Sequence, residues 1–375
     1  MNGKILSDGF RNPRHAEALV AAIHEEADSG RHYRIMEFCG GHTHAIARNG
    51  LADLLPDPVK LVHGPGCPVC VLPVGRLIMA MELAQREEVI LTSYGDMLRV
   101  PAGPGRSLTR ARAEGADVRM VYSPLDALEM ARANPHRQVV FLAIGFETTA
   151  PATAAVVKRA RAEGIKNFSV LCNHVVTVTA MTAVLDGEDG RRIDGLIGPG
   201  HVSCVIGADA FAGVARHYQR PIVISGFEPL DMLDTVLRAV RRLNAGEAGV
   251  ENAYGRALDG AGNKQAQALM AEVFALRESF EWRGLGTVAA SGYRLADDFA
   301  AFDAESRFEL QYRVVPEPKS CECPSVLRGA KEPEDCVLFG KACTPEQPVG
   351  ACMVSSEGAC AAAYLFRRDA RRLSA

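Results

Sequence analysis

One pattern limits the fold of this chain more than any other. A short apolar run, a glycine-rich or polar turn and a helical stretch follow one another through residues 34–228. The apolar runs fall at 34–38, 59–62, 89–92, 118–122, 139–144, 168–172, 195–197 and 221–224, after an opening helical stretch at 13–28. Such short, uniformly apolar runs read as strands buried on both faces, and strands that alternate with helices build parallel sheets from βαβ units. The expected fold class is α/β. Functional groups then belong in the turns at the carboxyl ends of the strands.

Two segments echo each other. Leu61-Val-His-Gly-Pro-Gly-Cys67-Pro-Val-Cys70 and Leu196-Ile-Gly-Pro-Gly200-His-Val-Ser-Cys204 both place Gly-Pro-Gly directly after a strand, and 89–96 resembles 221–228 at nearly the same offset. The echo suggests two similar Rossmann-like parallel-sheet lobes, at 1–120 and 121–228, with their turns facing a shared cleft. From Phe227 the texture changes to helical patterns at 229–243 and 263–280. A segment rich in glycine and aromatics follows (Trp282, Tyr293, Phe299, Phe302), then a cysteine-rich tail with Pro324, Pro333, Pro345 and Pro348. Residues 229–375 are therefore expected to form a third, helix- and loop-rich domain.

Charge and cysteine usage set the chemical context. The 375 residues carry 42 basic against 45 acidic side chains, a formal charge of −3, with no long Lys/Arg run. Neither nucleic acid nor an anionic membrane is an expected partner. Met1 to Pro13 has no apolar core of a secretory signal, and no apolar run is long enough to span a membrane. Eleven cysteines are then expected in a reducing cytoplasm, where clustered thiols act as metal ligands or redox groups. Cys39, Cys67 and Cys70 lie early, Cys172 and Cys204 stand alone and read as core, and Cys321, Cys323, Cys336, Cys343, Cys352 and Cys360 crowd the end. Two separate chemical sites are implied.

In the tail, thiols at 321, 336, 343 and 360 are separated by fourteen, six and sixteen residues, with Cys323 and Cys352 in addition. Four thiolates from a compact, loop-rich segment suit a [4Fe-4S] cluster. Structural zinc competes, but zinc sites usually show two close CxxC pairs and the tail has one CxC. The residues alone leave open which four of the six bind. Upstream, Cys67-Pro-Val-Cys70 opens a helix, where the dipole and free N–H groups favour a thiolate and make a redox dithiol or a soft metal site. Cys39-Gly-Gly-His42-Thr-His44 closes the preceding strand and should open on the same face. One thiol and two histidines beside a dithiol make a soft site, with Cys39, Cys67 and Cys70 facing metal and Cys67, Cys70 and His42 as the reactive groups. His44 serves equally well as a loop hydrogen-bonding group. Gly145-Phe-Glu147-Thr148-Thr149, Asn173-His174 and Gly200-His201-Val-Ser203 would line the opposite wall, Thr149 doubling as a helix cap. No GxGxxG or GxxxxGK[ST] supports a nucleotide.

Taken together and in order, Cys39-Gly-Gly-His-Thr-His-Ala-Ile46, Gly64-Pro-Gly-Cys-Pro-Val-Cys70, Gly145-Phe-Glu-Thr-Thr149, Gly198-Pro-Gly-His-Val-Ser203 and the Cys343 to Cys360 segment resemble the HypD family of [NiFe]-hydrogenase maturation factors over nearly the whole chain. The resemblance implies a scaffold on which the Fe(CN)2CO moiety of the hydrogenase active site is assembled. It implies a small partner, HypC, that contributes a thiolate, cyanide delivered by HypE after synthesis with HypF, and the hydrogenase large-subunit precursor as an indirect partner. Carried onto this sequence, Cys39 would ligate iron with the HypC thiolate, and Cys67 and Cys70 would be the redox dithiol. Cys321, Cys336, Cys343 and Cys360 would hold the cluster, Cys321 being chosen over Cys323 by its match to the family spacing. The competing class is an iron-sulfur thiol-disulfide oxidoreductase, which would need neither Cys39 nor the histidines.

Overall fold

In the computed structural model, which describes residues 9–367, all eight expected runs form strands. They are β1 (Tyr33–Glu37), β2 (Val59–His63), β3 (Val89–Ser93), β4 (Val118–Met120), β5 (Gln138–Gly145), β6 (Phe168–His174), β7 (Gly195–Pro199) and β8 (Pro221–Ser225), joined by an unanticipated β9 (Gly249–Asn252). Two parallel sheets result, ordered β2-β1-β7-β8-β9 and β4-β3-β5-β6. β6 is buried along its whole length and β5 along nearly all of it, so sheet hydrogen bonds and apolar burial act on the same residues. Most of the opening segment Met1 to Pro13, read above as lacking a secretory signal, lies outside the described residues. Among those described, no helix is long and apolar enough to cross a membrane.

Sheet membership cuts across the expected boundaries at 120 and 228. The chain makes β1 and β2, crosses to build the whole second sheet from β3 to β6, and returns with β7, β8 and β9. The two Gly-Pro-Gly segments accordingly belong to one sheet, after β2 and β7, and flank β1 on either side. They do not mark equivalent places in two lobes. A strand-turn-helix unit specifies its own local geometry but carries no information about which sheet edge it joins. Helix Pro229–Ala245 likewise belongs to the first sheet. It buries Leu233, Val236 and Val240 against Ile35, Ile197, Val223 and Ile23, where Ile23 comes from helix Pro13–Glu26.

The remainder is irregular. The helical stretch expected at 263–280 stops at Val273: Asn263 caps helix Lys264–Val273 by accepting from the Ala266 N–H at 3.0 Å. β10 (Phe274–Leu276) and β11 (Ser279–Trp282) follow, paired antiparallel with β13 (Tyr293–Leu295) and β12 (Gly286–Ala289). Aromatic and β-branched side chains favour the extended form once they have a surface to cover. Trp282 is buried and donates to the Ser291 hydroxyl at 2.8 Å.

A buried ionic group joins this region to the helix after the CPVC segment. Arg76, on helix Val74–Ala84 and 5% exposed, bonds Glu305 at 2.7 Å, and Arg277 binds the same carboxylate. One carboxylate thus serves two largely desolvated guanidinium groups. Replacing Glu305 with Gln leaves both without a counter-charge, and breaking buried pairs of this kind costs about 3–5 kcal/mol. We expect the urea midpoint of Glu305→Gln to fall accordingly. A midpoint equal to that of the parent chain would show that solvent replaces the carboxylate.

Candidate functional site

The site begins with a charged residue at the end of an apolar strand. Glu37 closes β1 and has no exposed surface. Its carboxylate accepts the Cys39 N–H at 2.9 Å, the Thr43 hydroxyl and the His63 ring at 3.1 Å. Burial raises its pKa, opposed chiefly by His63. Cys39 occupies the N-cap position of helix Gly40–Arg48, but its side chain makes no cap hydrogen bond. The thiol instead lines a cavity of about 560 Å³. Burial pushes its pKa up to about 12, with Glu357 and Glu37 adding repulsion and the Gly41 and His42 N–H groups opposing it. A bare thiolate is disfavoured there, and positive charge brought to the sulfur would reverse that balance.

Glycines allow the surrounding loops to close on Cys39. A Cβ at Gly66 would stand 2.3 Å from the Cys39 nitrogen, one at Gly40 2.5 Å from the Glu357 Cβ, and one at Gly41 2.9 Å from the Phe227 ring. The Gly40 N–H donates to the Gly66 carbonyl at 3.1 Å. Around the cavity stand Cys39, Gly66 and His201 from the carboxyl ends of the first sheet, and Asp96, Tyr122 and Thr148 from those of the second. The expected shared cleft is present. Ser355, Ser356 and Glu357 of the tail close a third side.

Cys67 caps the short helix Pro68–Val71, its sulfur accepting from the Cys70 N–H at 3.2 Å, and the two cysteines form a disulfide with Cα atoms 5.2 Å apart. Both are buried. Among the described residues no three His, Cys, Asp or Glu side chains are placed to hold a metal ion as they stand, so neither Cys39, Cys67 and Cys70 nor the tail cysteines form a ready three-ligand site. The tail cysteines surround a second, much smaller cavity of about 10 Å³ lined by all six. Cys323 and Cys352 form a disulfide, while Cys321, Cys336, Cys343 and Cys360 are free. Burial pushes the Cys321 thiol up to about 11. Cys360 is raised well above its ordinary value by burial and then by Cys321, Cys343 and Cys336.

The remaining expected residues divide into cavity-lining and internal groups. His42 is fully buried and stacks on Phe227, with its Nε2 3.3 Å from the Ser225 carbonyl and its pKa lowered to about 4 by burial. It does not line the cavity, so His42 supports the wall. His44 Nδ1 lies 3.2 Å from the Ser356 carbonyl and joins the loop to the tail. Thr148, Thr149 and His201 line the cavity. Glu147 is buried, accepting from the Thr177 N–H and hydroxyl at 2.9 and 2.7 Å. Buried His174 meets the Thr153 hydroxyl at 2.9 Å, buried Ser203 donates to the Pro199 carbonyl at 2.9 Å, and the Asn173 side chain is also internal. Thr149 occupies the N-cap position of helix Ala150–Ala162 as expected, but its hydroxyl donates to the Ile144 and Phe146 carbonyls and makes no cap hydrogen bond. Cys172 is buried as expected, whereas Cys204 is half-buried. Sequence reasoning missed Glu37, His63, Phe227 and Glu357. For Glu37 a signal existed: a carboxylate ending an otherwise apolar run must have partners.

Comparison with known proteins matches this arrangement of motifs. The family model described as "HypD: Hydrogenase formation hypA family" matches residues 14–367. The chain is 59% identical over 366 residues to the hydrogenase maturation factor HypD of Azotobacter vinelandii, covering 96% of this chain and 97% of that one. It is 54% identical to HypD of Cupriavidus necator, over 96% of both chains, and 46% identical to HypD of Escherichia coli, over 96% and 98%. From these matches, the chain belongs to the HypD family of hydrogenase maturation factors.

Proposed function

We propose that this chain is the scaffold on which the Fe(CN)2CO group of a [NiFe]-hydrogenase is assembled, with iron bound as cargo at Cys39. One observation carries the reading: the carboxyl ends of both sheets and a tail segment bounded by cysteines converge on a single cavity that Cys39 enters. A partner of the HypC type supplies a second thiolate through the open side, and a partner of the HypE type delivers cyanide. The raised pKa of Cys39 fits this role, because the thiol becomes a strong ligand only when a cation accompanies it.

The four free tail thiols fit a [4Fe-4S] cluster. They share one cavity, the Cys323–Cys352 disulfide removes the surplus pair, and the mutual repulsion that raises Cys360 is what a cationic core offsets. When bound, such a cluster supplies single electrons. The chain's own part is to conduct them towards the cleft. Turn Ala351–Met353, which carries Cys352, packs on helix Pro68–Val71. Buried Arg283 donates its N–H to Val71 and its guanidinium to Leu72 at 2.8 Å each, tying the CPVC helix to the tail side. Reducing Cys67–Cys70 to the dithiol takes two electrons, which a cluster would have to deliver one at a time, and two protons. Burial of Cys67 and Cys70 speaks against a thiol-disulfide oxidoreductase, whose attacking thiol must reach an external disulfide.

Two substitutions separate the sites. Cys39→Ser, isolated anaerobically with the small partner, is expected to lose the infrared bands of metal-bound CN and CO while keeping its acid-labile sulfide. Bands of parental intensity would refute the assignment of Cys39. Cys336→Ala is expected to lose most acid-labile sulfide and to lower hydrogenase maturation in cells by roughly tenfold or more, since removing a ligand exceeds the effect of removing its supporting contacts. Parental sulfide in that variant would exclude Cys336 as a ligand.

A further inference from the structure

We propose that His201 donates a hydrogen bond to a cyanide ligand of the iron at Cys39, its ring held in place by a three-ring stack through Phe227 to His42. The proposal rests on the scaffold reading and names the group that orients the cargo within it.

The stack is built from three adjoining strand ends, with His42 after β1, His201 after β7 and Phe227 after β8. His201 lies in the first turn of helix Gly200–Ile206, directly after β7, which pairs with β1. Its ring lies face to face with Phe227, centroids 3.7 Å apart and planes 19° from parallel, and Phe227 stacks in turn on His42 at 4.7 Å and 27°. His42 forms the fixed base, fully buried beside the Ser225 carbonyl. Gly41 provides the space: a Cβ there would come within 2.9 Å of Phe227 and 3.6 Å of the Cys39 sulfur. The stack and the thiol therefore border the same glycine. Offset stacking of this kind fixes a ring plane at little entropic cost.

The upper ring is left available. His201 is exposed and lines the cavity, and none of the hydrogen bonds among the described residues uses its ring nitrogens. Partial burial lowers its pKa, which favours the neutral ring with one N–H donor. Other groups on the wall are less suited. The Thr149 hydroxyl is occupied by the Ile144 and Phe146 carbonyls. Thr148 and Ser356 carry freely rotating hydroxyls. Bound cyanide concentrates charge on its nitrogen and is a good acceptor, whereas the oxygen of bound CO is a poor one. A donor fixed in direction thus distinguishes cyanide from carbonyl positions on the iron.

The test uses the full chain isolated anaerobically with its small partner, read by infrared spectroscopy, iron content and acid-labile sulfide. His201→Phe preserves a ring for the stack and removes the donor, while His201→Gln restores an N–H without the ring. The expected result is parental iron and sulfide in both variants, displaced cyanide bands in His201→Phe, and a partial return in His201→Gln. Cyanide bands at parental frequencies in His201→Phe would overturn the proposal and leave the scaffold reading standing. Loss of iron from both variants with sulfide intact would also overturn it, making His201 a ligand instead. Parental material without any CN or CO bands would overturn both readings.

Discussion

A carboxylate shut away from water at the end of β1 sets the geometry on which the cleft depends. Burying an ionised group costs several kcal/mol unless hydrogen bonds and opposite charge compensate. Glu37 finds its compensation in three places: the backbone of the cysteine that follows it, the hydroxyl of Thr43 one helical turn on, and the His63 ring on the neighbouring strand. Glu37 and His63 are register partners in the parallel pair. Satisfying the carboxylate therefore fixes the Cys39 loop relative to the loop that leads to Cys67. Glu37 accepts the Cys39 N–H, while the Cys39 side chain makes no cap hydrogen bond and faces the cavity.

Glycine completes the arrangement by omission. Gly64 sits where a Cβ would meet the Glu37 carbonyl at 2.5 Å, and Gly66 repeats this against the Cys39 backbone. On the other side of β1, Gly200 takes the same kind of place against the Ser225 carbonyl, at 2.3 Å. Both Gly-Pro-Gly turns thus press against neighbouring backbone, and each reaches the cavity that Cys39 lines. Their resemblance reflects a shared demand for close backbone approach within a single sheet.

This explains what could be read in advance and what could not. Strands 34–38 to 221–224 were visible because both-face burial writes an uninterrupted apolar run, and the cleft followed because loops at parallel strand ends share one side. Sheet assignment was hidden. The departure after β2 and the return at β7 leave no trace in local composition, since both crossovers pass through ordinary helices and turns. The role of His42 was misjudged for a related reason: a histidine after two glycines reads as reachable, yet those glycines admit Phe227, which covers it. Pairing among the six tail cysteines needs the fold as well, because Cys323 and Cys352, 29 positions apart, meet only when the tail closes.

The tail also connects the two sites mechanically. Cys352 and Cys360 line the thiol-rich cavity, while Ser355, Ser356 and Glu357 between them line the cleft. This short segment is held at several points. Arg99 donates to the Val354 carbonyl at 2.8 Å, His44 meets the Ser356 carbonyl, Gly40 lies against Glu357, and a Cβ at Gly358 would stand 2.3 Å from the Cys352 carbonyl. Closely packed backbone moves as a unit and does not absorb displacement locally. A change of bonding at Cys352 or Cys360 must therefore be felt at Glu357 and, through Gly40, at the first turn of the helix that begins with Cys39. The packing of the thiol-rich cavity and the shape of the cleft are in this way properties of one piece of chain.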